Sequence, residues 1–344
     1  MTTQTFHAAM TVCAFVIPAL AAEEIPQKEQ LQKGVELHEK GDFDGAIAVY
    51  KAVLKENPKN VVAFYEMALT YESKGDQAQC IATVDAALKL PAIDPAIESN
   101  LVMCKANCLD ESGRQDEAIK TYEAGIKKSP DDPQLLFNLA ITRLQRGENA
   151  AARKLLQHDA EVAPLHASAH FQLAAAYAGD DYRAPAVLAL MRYLTLDPSS
   201  RRSQVAATRL VAMLQESAGT PPAGSEDLRF VEALISPSIL SARVAQAPEA
   251  KGAGELEKAR ISLKAIVDIL ADHKADQHAG VWIWSQYVPF FAELKEKGHL
   301  ETFSYVALGT LDVPGGNDWL GKNDAKVKAL LAWSGQKDAM RPAR

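Results

Sequence analysis

Residues 133–166 read PQLLFNLAITRLQRGENAAARKLLQHDAEVAPLH, and residues 167–200 read ASAHFQLAAAYAGDDYRAPAVLALMRYLTLDPSS. Both stretches are 34 residues long and follow one plan. An apolar run at helical spacing comes first. A polar turn follows, with Gly147 or Asp181 at its fifteenth position. A second helical run then closes near Pro164 or Pro198. Self-similarity at such a period is the signature of a stacked helical hairpin and governs the reading of the whole chain.

Working outward, Pro130, Pro164 and Pro198 recur at intervals of 34, with Pro58 in the corresponding place of an earlier unit. Repeats therefore start at Gln27, Val61, Ser99, Pro133 and Ala167, and a cap starts at Arg201. The second repeat is longer by four residues, where Leu90 to Pro95 replace a simple proline turn. The eighth position reads Gly34, Ala68, Ala106, Ala140 and Ala174, small enough for two helices to touch. The eleventh reads Leu37, Tyr71, Leu109, Arg143 and Tyr177. The fifteenth reads Gly41, Gly75, Gly113, Gly147 and Asp181, where a helix must stop. The twentieth reads Ala46, Cys80, Ala118, Ala152 and Ala186, and the twenty-fourth Tyr50, Val84, Tyr122, Leu156 and Leu190.

A single hairpin of this kind cannot bury its apolar face, whereas several stacked hairpins can. The pattern resembles the tetratricopeptide repeat (TPR) family over about residues 27 to 200. The resemblance implies an all-α fold, a right-handed superhelical solenoid with an inner groove that holds a segment of another protein. Arg143 and Asp181 depart from the pattern and predict looser packing in repeats four and five. In this family the inward positions are the second, fifth, sixth, ninth, twelfth and thirteenth of each first helix. They make Tyr65, Met103, Asn107, Phe137, Asn138 and Phe171 the candidate partner-binding residues. Lys28 is nearly the only cation among these positions of the five repeats, so the expected ligand is apolar and non-acidic. Phe137 and Phe171 serve equally well as packing between neighbouring helices.

A length of 344 residues exceeds one compact core and points to two domains. A net charge of −7 without a basic stripe argues against a nucleic-acid partner. Residues 1–21 contain no Lys, Arg, Asp or Glu. Their apolar run from Ala8 to Leu20, Pro18 and Ala19-Leu20-Ala21 read as a secretory signal peptide, although the first seven residues lack the usual Lys or Arg. Export, to the periplasm, follows as the expectation, with no integral membrane segment once the signal is removed. Thr11 and Val12 make Cys13 a poor lipid-attachment site. The remaining Cys80, Cys104 and Cys108 are odd in number and read as small core residues rather than a disulfide framework or a metal centre.

Five repeats with their cap thus occupy residues 27–218, Gly219 to Ser225 read as a linker, and residues 226–344 as a smaller helical C-terminal domain with its own core. All four tryptophans lie in that last segment. Its strings W-x-x-Y-x-P-F-F (Trp284 to Phe291) and G-H-x-E-x-F-x-Y (Gly298 to Tyr305) are similar to the tails of a group of exported bacterial repeat proteins, a resemblance that carries no activity. Trp282, Trp284 and Tyr287 are the expected second docking surface. His299 and Glu301 are two apart, so on a helix they diverge by roughly 200° and make no catalytic dyad. Asp272, His273, Asp276 and His278 lack a ligand spacing and read as a solvated loop. No motif calls for a cofactor. The sequence therefore describes a protein-binding scaffold of the cell envelope rather than an enzyme. The alternative is an envelope enzyme whose C-terminal part is catalytic and whose repeats recruit substrate.

Overall fold

The computed structural model describes residues 25–215, 226–273 and 280–339, all helices and connections. The signal segment, the linker at 219–225, Asp276 and His278 lie outside the described residues. The chain divides into two compact units, one ending at Cys108 and one starting at Leu109.

The first unit holds α1 (Ile25–Glu39), α2 (Phe43–Glu56), α3 (Val61–Lys74), α4 (Gln77–Ala87) and most of α5 (Pro95–Glu111). α1 pairs with α2 and α3 with α4. The repeat positions explain each pairing. Gly41 and Gly75 have φ of +79° and +81° and end the first helix of each hairpin in a left-handed turn. The next residue, Asp42 or Asp76, starts the second helix by accepting an N–H three residues on, at 3.0 and 3.2 Å. At the eighth position, a Cβ on Gly34 would overlap the Tyr50 ring, so α1 lies against α2 only because glycine is there. In the lengthened second repeat, Ala92 takes φ +57° within the inserted turn.

The second unit continues with α6 (Gln115–Lys128), α7 (Pro133–Gln145), α8 (Asn149–Val162), α9 (Ala167–Ala178), α10 (Arg183–Leu196) and α11 (Arg201–Gln215). Then come α12 (Glu226–Leu234), α13 (Pro237–Gln246), α14 (Glu255–Asp272), α15 (Trp282–Glu296), α16 (Leu300–Ala307), α17 (Gly316–Lys322) and α18 (Asp324–Ala339). α10 is buried from Arg183 to Thr195 on every side. Its text, RAPAVLALMRYLTL, has no polar face to show to water. α12, α15, α16 and α18 cover the side that a terminal repeat would leave open.

Two arginines on α10 reach into this cover. The Arg183 guanidinium donates to Met213 O at 2.8 Å and Ile235 O at 2.6 Å. Arg192 donates to Thr195 Oγ1 at 2.9 Å and lies 4.1 Å from the Phe290 ring centre. Glu232 of α12 accepts the Ala184 N–H at 2.6 Å, a carboxylate set at the N-terminus of α10. One buried cluster runs from Ala140 and Leu156 of the repeats through α10 to Trp284, Phe291, Phe303 and Leu330. The helices after residue 226 thus share a core with repeats four and five instead of holding a separate one.

Repeats four and five are not loosely packed, and the two departures have physical explanations. Arg143 pairs its guanidinium with Glu123 at 2.6 Å and with Glu148. Asp181 takes φ +59°, the conformation glycine has in the other four repeats. A non-glycine residue there costs about 1–2 kcal/mol, and replacing it by glycine returns part of that as unfolded-state entropy. Asp181→Gly is expected to stabilise the unit by about 0.5 kcal/mol and raise its melting temperature by roughly 1–2 °C. Differential scanning calorimetry checks this. A lower melting temperature would mean that the Asp181 side chain contributes more than its backbone costs.

Candidate partner-binding faces

In the first unit, Tyr65 on α3 is half-buried against the core, and Met103 on α5 is half-buried. Asn107 is 92 % buried by area, its exposure being 8 %. Its Nδ2 donates to Glu72 Oε1 at 3.1 Å, which ties α5 to α3. That amide is part of the packing between two first helices and does not stand open to a ligand. Glu66, beside Tyr65, is also drawn in, and burial pushes its carboxyl up to about 7.

Cys80, at the alanine-sized twentieth position, is bonded to Cys108 at an S–S distance of 2.00 Å. The sequence reading had no disulfide. Closing a loop across a separation of 28 residues contributes on the order of 3 kcal/mol by restricting the unfolded chain.

In the second unit, Phe137 and Asn138 lie on α7 and Phe171 on α9, all half-buried. The Phe137 ring packs on His166 at 4.8 Å. His166 Nδ1 is in turn 2.9 Å from both carboxylate oxygens of buried Asp159. Burial raises the Asp159 carboxyl, opposed by His166. Phe171 meets Tyr193 edge-on at 5.2 Å. Its ring also has two guanidiniums near it, Arg202 at 5.7 Å and Arg209 at 5.5 Å. Both arginines are exposed, as is Val205, and all three come from the cap helix α11. Arg202 also donates to Ser168 Oγ at 2.8 Å.

These arginines correct the expectation of a face nearly without cations. Counted from Arg201, they occupy the second and ninth positions of a sixth first helix, with Val205 at the fifth. The same register that named Phe171 names them once it is carried into the cap.

The expected second docking surface does not exist as such. Trp284 is 1 % and Tyr287 2 % exposed. Trp284 meets the Phe230 ring at 5.4 Å, and Tyr287 Oη is hydrogen-bonded to His170 Nδ1 at 2.8 Å. Burial holds the Tyr287 phenol well above its ordinary range. Both belong to the core shared with α9 and α10. Trp282 is half-buried and donates its Nε1–H to Glu161 Oε1 at 2.8 Å. Around His170, Arg192, Trp282 and Tyr287 there is a cavity of about 10 Å³, room for one water at most. Glu301 is paired with Arg260 at 3.0 Å and Lys264 at 2.9 Å, and His299 lies against the Trp333 ring at 5.3 Å. Of the residues read as a solvated loop, His273 Nδ1 is 2.8 Å from Ile269 O, one turn back on α14.

Family models agree with the hairpins: one described as TPR repeat matches residues 34–75 and one described as tetratricopeptide repeat matches residues 109–177. The chain carries tetratricopeptide repeats. Neither match reaches beyond Tyr177 into the C-terminal helices. Mouse protein O-mannosyl-transferase TMTC1 is 24 % identical over 124 residues, 36 % of this chain and 13 % of that protein. The Arabidopsis thaliana CTR9 homolog is 28 % identical over 141 residues, 40 % of this chain and 13 % of that protein. The chain thus spans about an eighth of the length of these two relatives. Among solved structures, PilW, a type IV pilus biogenesis factor, aligns with 67 % of this chain and 99 % of its own, at 16 % identity and TM-score 0.48. Within the described residues, no helix is long and apolar enough to cross a membrane.

Proposed function

We propose that this TPR protein is an interaction scaffold of the bacterial cell envelope, and that the first-helix face of its second unit holds a segment of a partner protein. Phe171 carries the reading: a half-buried ring flanked by two exposed arginines, with exposed Val205 on the same helix as those arginines. A ligand that sets an apolar side chain on this ring would bring an acidic neighbour to Arg202 or Arg209. Phe137 and Asn138 on α7 extend the face with a second ring and an amide that both donates and accepts. In the first unit, Tyr65 and Met103 offer a smaller apolar face. The expected ligand is therefore an apolar segment with an acidic residue at the α11 end.

The Cys80–Cys108 bond supports an oxidising compartment, as the signal-like residues 1–21 do. A mature chain from the native host should begin at Ala22 when its N-terminus is sequenced. Selection of displayed random peptides on the full chain tests the binding. Enrichment of peptides that pair an aromatic or aliphatic residue with Asp or Glu is expected. Phe171→Ala or Arg209→Glu should weaken a selected peptide about thirtyfold. Melting temperatures run in parallel separate lost contact from lost fold. If Phe171→Ala, Arg209→Glu, Asn138→Ala and Tyr65→Ala all leave affinity unchanged, these faces are not the site.

A further inference from the structure

Three cysteine sulfurs meet in the core of the first unit. Cys80 comes from α4, and Cys104 and Cys108 from successive turns of α5. Their Sγ atoms all lie within 4.8 Å of one another. Two of them form the disulfide, and the Cys104 thiol sits 3.6 Å from Cys80 Sγ. On the other side of Cys104, Glu72 Oε2 is 3.4 Å from its sulfur. The second oxygen of that carboxylate is held by Asn107 Nδ2 at 3.1 Å. Ordinary packing needs one small residue at the twentieth position. It does not need three sulfurs at one point with an oriented carboxylate beside one of them.

We propose that Cys80, Cys104, Cys108 and Glu72 form, when the Cys80–Cys108 bond is reduced, a closed site for a thiolate-binding divalent cation of the zinc class. A tetrahedral zinc ion has bonds of about 2.3 Å to sulfur and 2.0 Å to oxygen, which sets ligand–ligand edges of roughly 3.8 Å between sulfurs and 3.5 Å between sulfur and oxygen. The Cys80–Cys104 distance of 3.6 Å and the Cys104–Glu72 distance of 3.4 Å are already close to such edges. Cys108 Sγ must withdraw from Cys80, and Glu72, which touches Cys104 but lies outside the set of ligand atoms within 4.8 Å of one another, must close on the other two sulfurs to complete the figure. Asn107 fixes the carboxylate from behind, as the outer partners of metal ligands do. All three cysteines are buried, at 1 % exposure or less, which suits a structural site without an open position.

The chemistry balances with a dithiol or phosphine as the reductant. It delivers two electrons, and with two protons the disulfide becomes two thiols. The cation then displaces the protons of three thiols to solvent, and the complex has the same formal charge as a four-cysteine centre. Oxidised and cation-bound forms exclude each other, because one S–S bond consumes two of the ligands. The spacing C-x23-C-x3-C matches no common ligand motif, which is why the sequence hides the site.

The test uses the full chain, reduced with a phosphine under argon and titrated with cobalt(II). The expected result is an intense thiolate-to-cobalt band with tetrahedral visible absorption, saturating at one equivalent and bleached by zinc(II). Cys104→Ser, which retains the disulfide pair and so can be purified folded, should bind at least about tenfold more weakly after reduction, and Glu72→Gln about tenfold more weakly. The oxidised wild type should give no band. Circular dichroism is recorded in parallel. If the reduced chain unfolds and cobalt refolds it, the site stands. The proposal is overturned if no thiolate band appears, if Cys104→Ser leaves the titration unchanged, or if reduction yields only exchanged disulfides on reoxidation with no cation bound.

Discussion

A chain ending at Gln215 is expected to lose the fold of repeats four and five, and residues 226–344 alone are expected not to melt cooperatively. α10 has no outward face: Val187, Leu188, Leu190, Met191 and Leu194 are all 1 % exposed or less. Fully burying such a side chain is worth about 1.5–3 kcal/mol, so uncovering even a few of them costs on the order of 5 kcal/mol. That is comparable with the whole stability of a domain, about 5–15 kcal/mol. The truncation also takes away the acceptor of the Ala184 N–H and one partner of Arg183, leaving buried polar groups to find water. For the isolated C-terminal segment the loss is reciprocal, since Trp284, Tyr287 and Phe290 pack in the cluster that α10 completes. Protease-resistant fragments and thermal melts of both pieces check this. A cooperative melt of 226–344 by itself would show that the shared core is dispensable and restore the boundary expected from the 219–225 linker. In the full chain, Trp284→Ala should cost about 3–5 kcal/mol, the range for a large aromatic removed from a packed core.

The repeats were legible because each rests on a constraint that one residue satisfies at a fixed spacing. Gly41, Gly75, Gly113 and Gly147 share the left-handed turn, and Ala46, Cys80, Ala118, Ala152 and Ala186 are all fully buried. Neither fact needs the rest of the chain. The role of the tryptophan-bearing segment was not legible in this way. Its apolar residues obey helical spacing whether they face their own neighbours or α10, and periodicity records burial without naming the partner. Trp284 and Tyr287 therefore read as an exposed aromatic surface when they are core. The text of α10 did hold the missing signal, as a helix apolar all round must be covered on all sides. The cysteines failed for a different reason. Three of them allow three pairings, and nothing local distinguishes Cys80–Cys108 from the others. Arg202 and Arg209 were within reach of the sequence and needed only the repeat register extended past Pro198.

Stability of the first unit is expected to fall as pH rises from 5 to 8, with Glu66 responsible for much of the slope. Burial pushes this carboxyl from 4.5 up to about 7, while in the unfolded chain it returns to the ordinary value. The folded state thus binds a proton that the unfolded state has released across that window. A group whose folded value is raised gives a contribution present in full below the unfolded value and lost as pH climbs through the folded one. At about 1.4 kcal/mol per unit the full difference is near 3 kcal/mol, and the partial solvent access of Glu66 brings the expected effect to about 2 kcal/mol. Asp159 and Glu232 in the second unit are raised by burial as well, so the wild-type slope alone does not identify the source. The substitution does. Glu66→Gln keeps the shape of the side chain and removes the titration. It should leave stability at pH 5 nearly unchanged, raise it by about 2 kcal/mol at pH 8, and flatten the difference between the two. Urea denaturation of wild type and variant at both pH values measures this. Equal shifts at pH 5 and pH 8 would mean that the Glu66 carboxyl is already ionised in the folded protein, and the burial argument would fail. The consequence reaches the binding face, because Glu66 adjoins Tyr65 at an inward position. Below about pH 7 this part of the face is uncharged, which suits an apolar ligand, and above it Glu66 carries a carboxylate next to Tyr65 in the chain. Affinity of the first unit's face for an apolar segment should therefore decline over the same pH interval, and should cease to do so in Glu66→Gln.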